Sequence, residues 1–238
     1  MSAPRFHVDA DLALGTVRLP ERVAHHALRV LRLRDGAPLV LFNGRGGSYA
    51  GHLQLAAEPE AVLTTFDASD RESPLAVTVV QALVANEKLD WIVEKLTELG
   101  AARVMIVPTE RSVVRLEGDR LARRLAHWQE TVVSACAQCG RNRLPDVLAS
   151  ASLAALLPGL LEEPRRLLLP DAPAALDVGP AASCTIAVGP EGGFSDAEQQ
   201  QLLAAGFVPS RLGPRVLRTE TAGLAALAAL QCRGGDLR

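Results

Sequence analysis

Apolar and polar positions change rhythm once along this chain, near residue 71. Before it, residues 37–42 and 48–55 alternate with the period of two that a half-buried strand requires. The Asn43-Gly44-Arg45-Gly46-Gly47 stretch between them is a hairpin turn signal, and residues 61–67 read as a further strand. Residues 21–31 follow a helical period instead. Val23, Ala27, Val30 and Leu31 form its apolar face, while Arg22, His25, Arg29 and Arg32 recur at i, i+3, i+7 and i+10 as a basic stripe. That stripe fits phosphate binding and fits a solvated helix face equally well. Short strands with one helix fit a small β-barrel, and the polar stretch 68–74, which ends in Pro74, reads as a linker.

Beyond the linker the apolar runs lengthen. Residues 75–84 are a continuous run rich in β-branched side chains, and residues 89–99 are helical with Leu89, Ile92, Val93, Leu96 and Leu99 on one face and Gly100 placed to end the helix. Strands follow at 103–107, 166–169 and 185–188, with a long helix over 120–139 and a short one over 153–157. Strand and helix in alternation, with strands apolar on both faces, predict an α/β domain with a mostly parallel sheet under helices. The last helix, 222–231, is almost all Ala and Leu, so it needs cover on most sides from its own domain or from a second copy.

Two loops in this second part have the same form. Ile186, Ala187 and Val188 end a buried strand, 189–193 (Gly-Pro-Glu-Gly-Gly) make a tight turn, and Ser195 with Glu198 forms an S-x-x-E capping box for a helix. Residues 207–212 then read as a strand broken by Gly213 and Pro214, with Thr219 placed to cap the final apolar run. An isolated G-x-x-G-G is most simply a strand-to-helix connection. Two such loops at the carboxyl ends of strands form a site where backbone groups can approach a flat or charged ligand closely. No Gly-Lys-Ser/Thr ends the first loop and no G-x-G-x-x-G is present, so neither nucleoside triphosphate nor dinucleotide signatures apply.

Composition narrows the classes. With 238 residues, 48% of them hydrophobic, the chain has enough material for one large core or two modest ones. A net charge of −2 leaves any RNA binding to local patches. No apolar run approaches the roughly 20 residues of a membrane span, and the acidic start lacks the apolar core of a signal peptide, so a soluble, cytoplasmic protein is expected. Cys136 and Cys139 form a C-x-x-C pair near the C-terminal end of a helix, where no dipole lowers a thiol pKa, and Cys184 and Cys232 stand alone. Ordinary reduced thiols, mostly buried, are expected, with no metal bound.

Five blocks in order carry a resemblance. GPEGGFSDAE from Gly189 and LGPRVLRTETA from Leu212 are similar to the signature loops of the RsmE family, the 16S rRNA uridine-N3 methyltransferases of the SPOUT superfamily. HHALRVLRLRDGAPLVLFNG over 25–44, KLDWIVEKLTELGAARVMIVPTERSV over 88–113, and Gln138, Arg141 and Pro145 after Trp128 agree with it. The resemblance implies a SPOUT-type parallel sheet with a trefoil knot over 74–238 and a PUA-like RNA-binding β-barrel over 1–70. It further implies S-adenosyl-L-methionine as methyl donor, a homodimer, and 16S rRNA in the small ribosomal subunit as partner. The donor would lie against Leu168 and Pro170, the turn of Gly189, Pro190, Glu191, Gly192 and Gly193, and Leu212, Gly213, Arg215, Val216, Leu217 and Thr219.

The chemistry sets its own demands on the residues. Methyl transfer from a sulfonium is an in-line displacement governed by positioning, and uracil N3 is a poor nucleophile until its proton leaves or is shared. Glu191 is a candidate base or adenosine-side acceptor. Glu220 is its rival, although a carboxylate in a first helical turn also serves the helix dipole. Arg218 is the preferred catalytic residue, able to stabilise negative charge on a uracil carbonyl; its alternative is a surface ion pair. Arg22, His25, Arg29 and Arg32 are the candidate RNA contacts; Arg111, Arg115, Arg141 and Arg143 could extend such a track, and solvated helix ends explain them equally well. His7, His52 and His127 have no partners at metal spacing. Three rivals stay open here: another SPOUT activity on a ribose 2′-oxygen or another base, a non-catalytic RNA-binding assembly factor, and a small-molecule nucleotide-binding enzyme.

Overall fold

The computed structural model describes residues 3–237. They fall into two compact units, Met1–Glu72 with Val133–Leu144, and Ser73–Val132 with Pro145–Arg238.

In the first unit β1 (Arg5–His7), β3 (Pro38–Phe42), β4 (Ser48–Leu55), β5 (Pro59–Asp67) and β2 (Gly15–Arg18) pair in that order. All pairs are antiparallel except β1 with β3. The expected alternation places Leu39, Leu41, Leu53, Ala61 and Leu63 inward, where Phe6, Val23 and Ala27 complete the core. Strands β4 and β5 slip register at Ala50 and Gly51, and a Cβ on Gly51 would stand 2.0 Å from the Val62 carbonyl oxygen, so only glycine fits this bulge. Strands β1 and β2 are too short and irregular in pattern to be read from the sequence.

The helix over 21–31 departs from its expected form. Helix α1 (Glu21–His25) runs directly into a π-helical turn, His26–Val30, in which the Leu31 amide reaches five residues back to the His26 carbonyl. The extra residue rotates the apolar face, and Val30 and Leu31 point outward, 60% and 43% exposed. Arg32 has left the helix altogether, with φ of 54°. Arg22, His25 and Arg29 are exposed as expected, but the i+10 step to Arg32 no longer describes one helix face.

The stretch expected to be a linker is tied down. Glu72 accepts from the guanidinium of Arg141, which is 6% exposed, Asp70 stands 3.7 Å from Arg143, and Asn142 donates to the Ser69 carbonyl at 3.4 Å. Polar residues here bond to one another while Ser69, Asp70 and Arg71 also face solvent.

The second unit is a six-stranded, wholly parallel sheet: β6 (Ala76–Ala82), β7 (Ala101–Val107), β8 (Asp146–Ala149), β9 (Arg165–Leu168), β10 (Ser183–Val188) and β11 (Phe207–Ser210), in the order β11-β9-β10-β6-β7-β8. Val77, Val79, Val80 and Ala82 are all fully buried, as a strand covered on both faces requires. Between the strands run α2 (Asn86–Glu98), α3 (Gly118–Cys139), the short α4 (Leu153–Leu156), α5 (Asp196–Ala204) and α6 (Thr219–Gly234). Trp128 on α3 is fully buried and donates through its indole N–H to Asp90 on α2 at 3.0 Å. Helix α6 buries one stripe, Thr219, Gly223, Ala226, Leu227, Leu230 and Gln231, and leaves Ala229 exposed with Leu224, Ala225 and Ala228 half-buried. Among the described residues no helix is long and apolar enough to cross a membrane.

Two of the four cysteines depart from expectation. Cys136 and Cys184 are buried, and desolvation pushes their thiols up to about 12, far from reactivity at neutral pH. Cys139 and Cys232 are exposed, so Cys139 lies at the surface of the described chain because the last turn of α3 presents it outward.

Candidate active site

Strands β10, β9 and β11 lie side by side and all parallel, so their carboxyl ends open on one edge of the sheet. A cleft of about 550 Å³ lies there. Leu168 and Pro170 reach it from the end of β9, and Gly189, Pro190, Glu191, Gly192 and Gly193 from the loop after β10. Leu212, Gly213, Arg215, Val216, Leu217, Arg218 and Thr219 come from the segment between β11 and α6. The two glycine loops thus form one site, in a volume typical of small-molecule pockets.

The first loop is held from outside at both ends. Its turn closes with the Gly193 amide donating to the Pro190 carbonyl at 2.9 Å, and Gly193 takes φ of 69°, where a side chain would be strained. Arg111 donates to the carbonyls of Gly192 at 2.8 Å and Phe194 at 3.4 Å. Beyond the turn the expected capping box is complete: Ser195 Oγ accepts from the Glu198 amide, and Glu198 accepts from the Ser195 amide at 2.8 Å. The second oxygen of Glu198 accepts from the Glu110 amide, also at 2.8 Å. At the near end, the Thr219 hydroxyl donates to the Gly189 carbonyl at 2.6 Å. This corrects the role expected of Thr219. Arg218 occupies the cap position without a side-chain cap, and Thr219, the first helical residue, has its hydroxyl engaged by the loop.

Charge at the cleft centres on Lys88, the first residue of the block over 88–113. Its ammonium donates to Glu191 at 2.7 Å and stands 3.5 Å from Glu220 Oε2. The hydrogen bond from Lys88 holds the Glu191 carboxyl below its ordinary value, and the same bond raises Lys88. A carboxylate so paired is a weak proton acceptor, which argues against Glu191 as the base. Glu220 is largely buried, and among the described residues its Oε2 has the long ion pair to Lys88 and no well-formed hydrogen bond. Arg215 and Arg218 are exposed, and among the described residues neither guanidinium has a hydrogen bond or ion pair. Their charge is therefore available to a ligand.

The other arginines separate. Arg111 braces the loop and Arg115 donates to the Thr109 carbonyl at 3.3 Å. Arg143 donates to the Arg45 carbonyl at 2.9 Å, and buried Arg141 is committed to Glu72, which removes it from any surface track for RNA. Among the described residues no group of three or more His, Cys, Asp or Glu is placed to hold a metal ion.

Known proteins share this whole arrangement. The family described as "RNA methyltransferase domain" matches residues 71–231, and "RNA methyltransferase PUA domain" matches residues 19–65. Ribosomal RNA small subunit methyltransferase E of Mycobacterium bovis is 35% identical over 97% of this chain and 92% of its own. The Bacillus subtilis protein of the same name is 31% identical over 90% and 89%. A crystal structure of ribosomal RNA small subunit methyltransferase E from Neisseria gonorrhoeae bound to S-adenosyl methionine superposes with a TM-score of 0.92, at 37% identity and full coverage of both chains. A Legionella pneumophila protein described as a methyltransferase, solved with the cofactor SAM, gives 0.93 at 32% identity, again over both whole chains. With its parallel sheet, its PUA domain and its paired loops, the chain belongs to the ribosomal RNA small subunit methyltransferase E family.

Proposed function

We propose that the protein transfers the methyl group of S-adenosyl-L-methionine to N3 of a uridine in 16S rRNA of the small ribosomal subunit. The observation that carries this is the single cleft at the ends of β9, β10 and β11, in a chain that aligns over its full length with relatives solved with that donor. The residues fit such a ligand: the lining is mostly glycine, proline and aliphatic, so backbone groups face the cleft, and Lys88, Glu191, Arg215 and Arg218 supply charge at its edges. Bound there, the donor supplies an electrophilic methyl.

The chain's own residues then have distinct tasks. Leu168, Pro170, the 189–193 turn and the 212–219 segment grip the donor and exclude water from it. Glu191 acts as a hydrogen-bond acceptor held ionised by Lys88. Arg218, with no partner among the described residues at the head of α6, stabilises charge on the uracil carbonyls as N3 gives up its proton, and Glu220 remains the candidate to receive that proton. Residues 1–70 act as a PUA-like RNA-binding domain through Arg22, His25, Arg29 and Arg32, and residues 74–238 as the SPOUT methyltransferase domain with its trefoil knot. The half-covered side of α6 supports a homodimer, and a ribosomal substrate implies a cytoplasmic setting.

The test is to incubate the protein with labelled S-adenosylmethionine and small subunits from cells lacking the enzyme, then digest and identify the labelled nucleoside by mass. Label in 3-methyluridine is expected. Label on a ribose oxygen or another base would replace the acceptor, and no label in RNA would overturn the enzymatic reading.

A further inference from the structure

Gln81 lies outside the cleft, on the central strand β6, where it pairs in register with Val188 of β10 and Ile106 of β7. It is 0% exposed, with Val79, Val80 and Ala82 fully buried around it. A glutamine there is costly unless its amide is bonded. Its Nε2 donates to the Ala82 carbonyl and to Thr219 Oγ1, both at 3.1 Å, and the Thr219 hydroxyl donates onward to the Gly189 carbonyl at 2.6 Å.

The polarity of this chain is fixed from its far end. A carbonyl oxygen only accepts, so Thr219 must spend its proton on Gly189, and its oxygen is left to accept from Gln81. Gln81 must then present its NH₂ group, because turning the amide would set its oxygen against the Ala82 carbonyl. The consequence is that Gln81 Oε1 has no partner among the described residues. Helix α6 packs closely over this point at Gly223, where a Cβ would stand in ordinary contact with Val188 at 3.4 Å and Gln81 Oε1 at 3.6 Å. An apolar side chain of similar size would remove the unpartnered Oε1 at the cost of the two bonds that Nε2 makes, to the Ala82 carbonyl and to Thr219, so burial alone does not account for the glutamine.

We propose that Gln81 is a positioning residue for the donor loop: through Thr219 it fixes the Gly189 carbonyl, and with it the turn on which the methyl donor lies. This rests on the donor assignment of the proposed function and adds a residue remote from the ligand to it.

The test uses the full chain and four variants: Gln81→Leu, Thr219→Val, the two combined, and Thr219→Ser. Titration calorimetry with S-adenosylmethionine should show Kd raised about tenfold by Gln81→Leu and by Thr219→Val, the loss of about one hydrogen bond. The combined variant should bind no worse than Thr219→Val alone, since both act on one carbonyl, and Thr219→Ser, which keeps the hydroxyl, should stay within about threefold of the parent. Gln81→Leu should melt near the parent temperature, since the lost Nε2 bonds and the removed unpartnered Oε1 offset, while its ligand-free 191–194 amides exchange hydrogen faster.

Unchanged affinity in Gln81→Leu, or losses that add in the combined variant, would overturn the proposal. So would a lowered melting temperature with faster exchange throughout the sheet, which marks a structural role. Where Gln81→Leu does not fold, equal binding by Thr219→Val and Thr219→Ser overturns it. A parent that does not bind the donor sinks the proposed function, and the ligand-free exchange then decides separately whether Gln81 holds the loop.

Discussion

Lys88 on α2 and Glu191 in the glycine loop meet at 2.7 Å, and this contact decides what Glu191 can do. The bond from Lys88 holds the carboxyl below its ordinary value, so Glu191 is ionised, paired and weakly basic at neutral pH. Glu191→Gln should therefore lower kcat by less than about tenfold while weakening donor binding. A general base contributes roughly 10²- to 10⁴-fold, so steady-state kinetics showing a loss in kcat of that size would restore Glu191 as the base.

The same pair has a pH signature. Glu191 is lowered in the folded protein, so its contribution to stability is present above its ordinary carboxylate value and lost as pH falls through the lowered one. Lys88 is raised, so its contribution is present below the ordinary amine value and lost as pH rises through the raised one. Lys88→Met should be less stable than the parent between those limits, and the gap should close in acid. Urea unfolding at about pH 3 and about pH 7 checks this; a gap as wide in acid as at neutrality would mean the pair does not form.

Much of this site was legible because it is local. The turn glycines and the Ser195–Glu198 box lie within a few residues of one another, and short-range geometry dictated both. Lys88 and Arg111 reach the loop across 103 and 81 positions of sequence, and Gln81 meets Thr219 across 138; no period or motif reports such meetings. The misread helix at 21–31 has another cause. One π turn inserts a residue into the count, and every position after it, Val30 and Arg32 included, falls off the expected face. Arg141 looked like a surface cation because Glu72, its partner, lies 69 residues away in a stretch polar enough to pass for a linker.

Gly192 and Gly193 should respond differently to substitution. Gly193 has φ of 69° with nothing within 4 Å of a Cβ, so Gly193→Ala fits sterically but takes a left-handed backbone at a cost of about 1–2 kcal/mol. Gly192 is not left-handed, and a Cβ there would come 3.3 Å from the Arg111 side chain that grips its carbonyl. Gly192→Val should push Arg111 aside and abolish measurable donor binding in calorimetry with the fold intact by circular dichroism. Donor binding equal to the parent would place the donor elsewhere.

Arg218 carries a charge with no partner among the described residues, at the edge of the cleft and at the head of α6. A cation aimed at charge that develops only during reaction matters in kcat more than in binding. Arg218→Ala should lower kcat at saturating RNA by about 10²- to 10³-fold, with donor Kd little changed. A loss confined to KM would make Arg218 a binding residue.

The basic segment of the first unit should be separable from the cleft by salt. Arg22, Arg29 and Arg32 are exposed, but they come from α1, from the π turn and from the residue beyond it, so any phosphate track is bent and does not follow one helix face. Each phosphate contact releases about one counterion, so replacing all three with alanine should lower the slope of log K against log salt by about three at most, and by less where the bend takes Arg32 off the track. Donor affinity should not move, because none of the three lines the cleft. Arg141 provides the contrast: it is buried against Glu72, and Arg141→Ala should cost about 3 kcal/mol of stability by leaving that carboxylate unpaired, without a change in salt slope. Filter binding of RNA across a salt series, with unfolding curves for each variant, measures both. An unaltered slope in the triple variant would make the segment a solvated surface and send the search for RNA contacts to other exposed cations.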